Sequence, residues 1–125
     1  MKHSTDKPTG AESRRITRMM LLGCAACAHL GLWVIAQECH HILQGNKRLG
    51  HWYTIPLCKG HHRGEWNLAQ HAVIDVKDRV ALSDGRKAFT RIYPSEKQLW
   101  IEVQHRLHLP TDWPESKVLP RRLAI

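Results

Sequence analysis

The chain reads as a small α+β protein: a ββα core stapled by a metal ion, with flanking helices and flexible basic termini. Three observations carry that reading. Two ligand pairs of metal-type spacing, Cys24-x-x-Cys27 and Cys58-x-x-His61, bracket a segment of strand character, and a helical stretch follows the second pair. A length of 125 residues leaves room for one domain with a modest core, which a bound metal would reinforce. Nineteen Lys and Arg against eleven Asp and Glu give a formal charge of +8, which favours a polyanionic partner.

Residues 1–10 mix charges, Pro, Gly and hydroxyls without apolar periodicity, so they read as an unstructured basic arm. Residues 11–22 suit a helix, with Ile16, Met19 and Met20 on one side and Arg14, Arg15 and Arg18 elsewhere; its end delivers Cys24. Residues 19–36 are largely apolar and follow those arginines much as a signal core would. Only residues 19–23 separate Arg18 from Cys24, however, short of the roughly 7 to 15 such a core needs. His29 and two glycines interrupt the remainder, whereas a spanning helix needs about 20 apolar residues. No membrane segment is expected.

A strand is expected over residues 38–43 and a second over 52–55, joined by a turn-rich basic loop at 44–50 and closed by Pro56. Residues 59–70 then read as one helix whose start carries His61 and His62. Asp84-Gly85 marks a later turn. After Pro94, Ser95 opens a helix with Leu99, Val103 and Leu107 at i, i+4 and i+8, a packing pattern. From Pro110 onward the prolines and Arg121-Arg122 indicate a surface tail, so the expected divisions are 1–10, 11–109 and 110–125.

Ligands with two residues between them on a tight turn can point at one ion, and four of them close a tetrahedral zinc site. The gap between Cys27 and Cys58 exceeds that of a compact finger, so the hairpin is inserted between the two knuckles. A redox reading of Cys24 and Cys27 lacks the accompanying thioredoxin-like pattern. Three of the four cysteines have metal spacing, with Cys39 the odd one, which argues for a reducing compartment such as the cytoplasm. His40 and His41 are neighbours on a strand and face opposite ways, so they should have different jobs. His62, directly after a ligand, can swing toward the hairpin. A lone histidine is usually an ordinary surface or core residue; these doublets together are not.

Cys24-x-x-Cys27, then Glu38-Cys39-His40-His41-Ile42, then Ile55-Pro56-Leu57-Cys58-x-x-His61-His62-Arg63-Gly64 resembles the HNH, or His-Me finger, nuclease superfamily. Within it the pattern is similar to the phage recombination-enhancing, RecA-dependent nucleases of the Ref type, over about residues 20–107. Phe89-x-x-x-Tyr93 and the helix after it are similar too. The resemblance implies a ββα-metal core in which Cys24, Cys27, Cys58 and His61 hold structural zinc. It implies that His40 and His62 bind a catalytic divalent ion (Mg, Mn or Zn) and that His41 is the general base. Some relatives place a third ligand one turn after His62; Trp66 stands there, leaving His71 as the tentative candidate. The family's central Asn has no clear counterpart, Asn46 lying early in the loop and Thr54 nearer the expected place.

The implied activity is hydrolysis of a DNA phosphodiester, on DNA associated with RecA filaments on single strands, in the cytoplasm of a bacterial host. Arg63 is a candidate phosphate clamp. Arg14, Arg15, Arg18, Gln44, Lys47, Arg48 and His51 are candidate DNA contacts. The rival reading is a zinc-stabilised DNA-binding recombination adaptor without catalysis. It explains the charge and the zinc ligands equally well, but not His40-His41 and His62. No HExxH helix or Gly-x-Ser-x-Gly elbow supports another hydrolase.

Overall fold

A computed structural model describes residues 6–114. Helix α1 (Gly10–Met20) begins one residue before the expected start because Thr9 builds a reciprocal cap. Its hydroxyl accepts the Glu12 N–H at 3.1 Å, and the Glu12 carboxylate accepts the Thr9 N–H at 2.8 Å. The rest of the expected arm, residues 1–5, and residues 115–125 of the expected tail lie outside the described residues. Helix α1 ends at Met20, and Gly23 turns the chain at φ 86°. A side chain there would meet the Trp33 indole at 2.7 Å, so only glycine fits. The short helix α2 (Ala25–Ala28) then follows its N-cap, Cys24.

Strands β1 (Glu38–His41) and β4 (Thr54–Leu57) pair antiparallel, with His40 opposite Ile55 and His41 opposite Thr54. Pro56 does not close the strand, as expected, but lies inside it. The Ile42 N–H donates to the Tyr53 carbonyl in the same register, so Pro56 opposite Cys39 falls at a non-hydrogen-bonded pair, where no N–H is required. The expected long tip is itself a hairpin, β2 (Leu43–Gln44) on β3 (Lys47–Arg48). Gly45 at φ 66° and Asn46 form its two-residue loop, with Gly in the position a type II′ turn reserves for it.

The single helix expected over 59–70 is two: α3 (Lys59–Arg63) and α4 (Leu68–His71). Gly64 enters the left-handed region at φ 77°, and its N–H caps the Gly60 carbonyl, which stops α3 after little more than one turn. Single 3-10 turns follow at Val76–Asp78 and Leu82–Asp84, then α5 (Arg86–Thr90). Helix α6 (Glu96–Leu107) is capped by Ser95 and buries Leu99, Val103 and Leu107, the expected stripe.

Helices α1, α2 and α6 all pack against β4. Between them lie Met19, Ile55, Leu57, Phe89, Leu99 and Trp100, each fully buried and each stabilising by about 1.5–3 kcal/mol relative to exposure. Arg15, expected to touch DNA, is instead 2% exposed in this core. Its guanidinium donates to Gln104 Oε1 at 2.7 Å, Thr54 Oγ1 at 2.8 Å and the Thr54 carbonyl at 3.0 Å, and stacks over Trp52. Burial pushes its pKa down to about 10, so it stays charged at neutral pH and ties α1, β4 and α6 together. The start of the expected tail also joins the core: Gln104 Nε2 donates to the Pro110 carbonyl at 2.7 Å, and Trp113 packs on Trp100 and Tyr53. No helix among the described residues is long and apolar enough to cross a membrane.

Candidate metal centres

Cys24 and Cys58 are the N-caps of α2 and α3, and their ligand partners Cys27 and His61 each sit one turn on. The Cys27 N–H points at the Cys24 sulfur (3.5 Å) and the His61 N–H at the Cys58 sulfur (3.4 Å). Two knuckles of the same construction therefore meet, and their four donor atoms lie within 4.8 Å of one another. Sulfur-to-Nδ1 distances from Cys24, Cys27 and Cys58 to His61 are 3.6, 3.4 and 3.4 Å. Bonds of about 2.3 Å to sulfur and about 2.0–2.1 Å to nitrogen, set at the tetrahedral angle, would separate such atoms by about 3.6 Å. The residues fit one tetrahedral ion, and all four are at most 1% exposed.

Three thiols sealed together cannot all ionise without a cation. Burial pushes Cys24 up to about 12, and hydrogen bonds with Cys24 and Cys58 push Cys27 up, whereas bonds from both other thiols pull Cys58 down. Behind the ligands, His61 Nε2 meets the Tyr93 hydroxyl at 2.6 Å, and that hydroxyl donates to the Asp78 carbonyl at 2.6 Å. Since the hydroxyl proton is committed to Asp78, His61 must carry its own proton on Nε2, leaving Nδ1 free to bind metal. Burial, then the neighbouring Asp78, raises the Tyr93 pKa, which keeps that proton in place.

The second grouping lies between β1, α3 and the start of α6. His40 Nδ1 faces His62 Nε2 at 3.1 Å. On the far side of each ring stands a carboxylate: Glu96 Oε2 is 2.6 Å from His40 Nε2, and Glu38 Oε1 is 2.6 Å from His62 Nδ1. Each carboxylate is held in turn by an arginine, Arg86 on Glu96 at 2.7 Å and Arg63 on Glu38 at 2.5 Å. The whole is a chain that runs cation, carboxylate, imidazole, imidazole, carboxylate, cation. For both glutamates burial pushes the pKa up, but the histidine bond and the arginine charge outweigh it, leaving each below its ordinary value.

The donors and acceptors along this chain limit what can lie between the two rings. If Glu96 accepts a hydrogen bond from His40 Nε2–H and Glu38 one from His62 Nδ1–H, the two facing nitrogens of neutral rings both carry lone pairs. At 3.1 Å they repel unless a positive charge lies between them. Two nitrogen ligands of one ion are about 3.0–3.4 Å apart, depending on coordination geometry, so the pair also fits a metal. The rings are only half-buried, and a cleft of about 140 Å³ lined by His40, Leu43, Leu82, Arg86 and Glu96 opens beside them.

His41 turns away from this pair, as opposite strand faces require, and its Nε2 meets His51 Nδ1 at 3.0 Å. Burial first, then the charges of Arg48, His51 and His40, push His41 down to about 4. The ring is neutral at pH 7, in proton-accepting form, although weakly basic. Arg63 is committed to Glu38 and Glu65. His71 is not brought to His40 or His62: it is buried beside Trp66, its Nδ1 accepts the Asn67 N–H at 2.9 Å, and its Nε2 has no hydrogen-bond partner. Arg14, Arg18, Gln44, Lys47 and Arg48 are exposed on α1 and the β2–β3 hairpin, while His51 is turned inward to His41. Thr54 is occupied by Arg15, and Asn46 sits in the hairpin turn. Sequence reasoning missed Glu96 and Arg86 altogether, because both belong to elements distant in sequence from the histidines. Glu38 was visible only as part of a motif.

Fold and side chains together define a small α+β protein with one closed Cys₃His metal knuckle and one half-open histidine cluster. Residues 8–108 match the family model for recombination enhancement, RecA-dependent nuclease, and the chain belongs to that family. No curated protein matches it.

Proposed function

We propose that the protein is a metal-dependent DNA endonuclease of the HNH type, with zinc in the knuckle and a catalytic divalent ion between His40 and His62. The observation that supports it most is the pair of facing ring nitrogens backed by Glu96 and Glu38, an arrangement that orients histidine ligands toward a cation. A divalent ion bound there would supply stabilisation of the negative charge that develops on the phosphate. His41, on the other face of the strand, accepts the proton of the attacking water; it is neutral at pH 7 and separate from the ligand pair. Arg86 and Arg63 keep the two carboxylates ionised and in place. The exposed hairpin residues Lys47 and Arg48, with Arg14 and Arg18, bind DNA phosphates without reading sequence.

RecA-associated single-stranded DNA is the expected setting, on the strength of family membership. The test is cleavage of single-stranded, duplex and RecA-coated DNA, each with Mg²⁺, Mn²⁺ or neither. Metal-dependent cutting lost in His41→Ala supports the enzyme. DNA binding without cutting under every condition overturns it in favour of an adaptor, and equal cutting with and without RecA removes the filament requirement.

A further inference from the structure

His51 sits in a turn that three separate hydrogen bonds hold in place. The Tyr53 N–H donates to the Gly50 carbonyl at 3.1 Å, the Leu49 N–H to the Ile42 carbonyl at 3.0 Å, and the Thr54 hydroxyl to the His51 carbonyl at 3.0 Å. Thr54 is itself gripped by buried Arg15. The loop therefore presents the His51 ring to His41 from a rigid base, edge to face at a centroid distance of 5.1 Å.

The protons in this contact can be assigned. His51 Nε2 bonds to the backbone carbonyl of Asp6, and a carbonyl only accepts, so the neutral ring carries its proton on Nε2. Its Nδ1 is then an acceptor, and the atom facing it at 3.0 Å, His41 Nε2, must be the donor. A competing tautomer exists, because the Cys39 carbonyl, two residues back on the same strand, attracts a His41 ring proton. That tautomer sets two lone pairs against each other at the His51 contact with nothing to relieve them.

We propose that His51 is a positioning residue for His41: by accepting the Nε2 proton it leaves Nδ1 as the only atom of His41 that can take a proton. This rests on the reading of His41 as the general base, and it gives His51 a role other than DNA contact. The Asp6 carbonyl completes the relay, so the segment just before α1 orients a ring on β1.

The imidazole ¹⁵N spectrum of the full-length, zinc-loaded protein tests this directly, with His41 assigned by its own substitution. Wild type should show the Nε2-protonated His41, and His51→Ala should shift it toward the Nδ1-protonated form. With DNA as substrate, kcat should fall about 10-fold or more in His51→Ala while KM and metal content stay unchanged. His51→Asn, which keeps an oxygen acceptor near the position of Nδ1, should restore both tautomer and most of the rate. A wild-type His41 protonated on Nδ1, or a tautomer identical in wild type and His51→Ala, overturns the proposal. Because the spectrum needs no turnover, a protein that never cuts DNA would defeat the nuclease reading and leave the tautomer result standing.

Discussion

Cys58 and His62 lie on the same short turn of chain, yet they serve surroundings of opposite character. The knuckle around Cys58 is sealed, with four donors closing a tetrahedron and the surrounding backbone N–H groups aimed at sulfur. The cluster around His62 offers two nitrogens, stands half-exposed beside a cleft and is backed by carboxylates. Complete coordination with burial suits an ion that holds the fold together; incomplete coordination with access suits one that meets a substrate. His61 and His62, adjacent on α3, show that one residue of helical rotation is enough to turn one ring into the sealed group of thiols and the next toward His40.

The comparison breaks most readily at Cys58. Cys58→Ser should lose the knuckle metal and most of the folded population, since apparent structural zinc binding is worth about 10–16 kcal/mol in small zinc domains. Metal analysis combined with a thermal melt reads this, and a metal-free variant with a wild-type melt would erase the distinction. Next comes His62→Ala. It should retain the knuckle metal and lie within about 1 kcal/mol of wild-type stability, yet cut DNA at least about 10²-fold more slowly, beyond what loss of a supporting group costs. A large fall in melting temperature would mean that this cluster, too, holds the fold together.

Smaller effects sharpen the contrast. Glu96→Gln leaves both histidines in place but weakens the acceptor behind His40, so the open-site metal should bind about 10- to 100-fold more weakly in a Mn²⁺ titration. Equal affinity would show that the carboxylate is only a surface partner. Least of all, Lys47→Ala with Arg48→Ala should touch neither metal. It should lower the salt slope of duplex DNA binding by about 2 and reduce affinity at moderate salt. An unchanged slope would move the DNA footprint away from the hairpin.

The knuckle was legible in the sequence because its ligands are local: each pair lies within one turn, and spacing alone announces it. Helix α6 was legible for the same reason, through its cap and its stripe of Leu99, Val103 and Leu107. The places where reading failed are those that a distant contact decides. Arg15 looked like any arginine on a basic helix, and only the approach of Thr54 and Gln104 makes it a core residue. Nothing local marks Glu96, and only the fold carries it to His40. Two misses were local and avoidable. Gly45-Asn46 is a two-residue hairpin signal inside what looked like a loose loop, and Gly64 is a helix stop inside what looked like one long helix.

Trp66 folds back over the knuckle, its ring edge-on to His61 and pressed against the backbone of Gly60. Any side chain at position 60 would collide with that indole. Of the two residues between Cys58 and His61, then, the second is confined to glycine. The spacer that spacing rules treat as two interchangeable positions is here Cys-x-Gly-His, and mutational tolerance across it should be as lopsided as that formula.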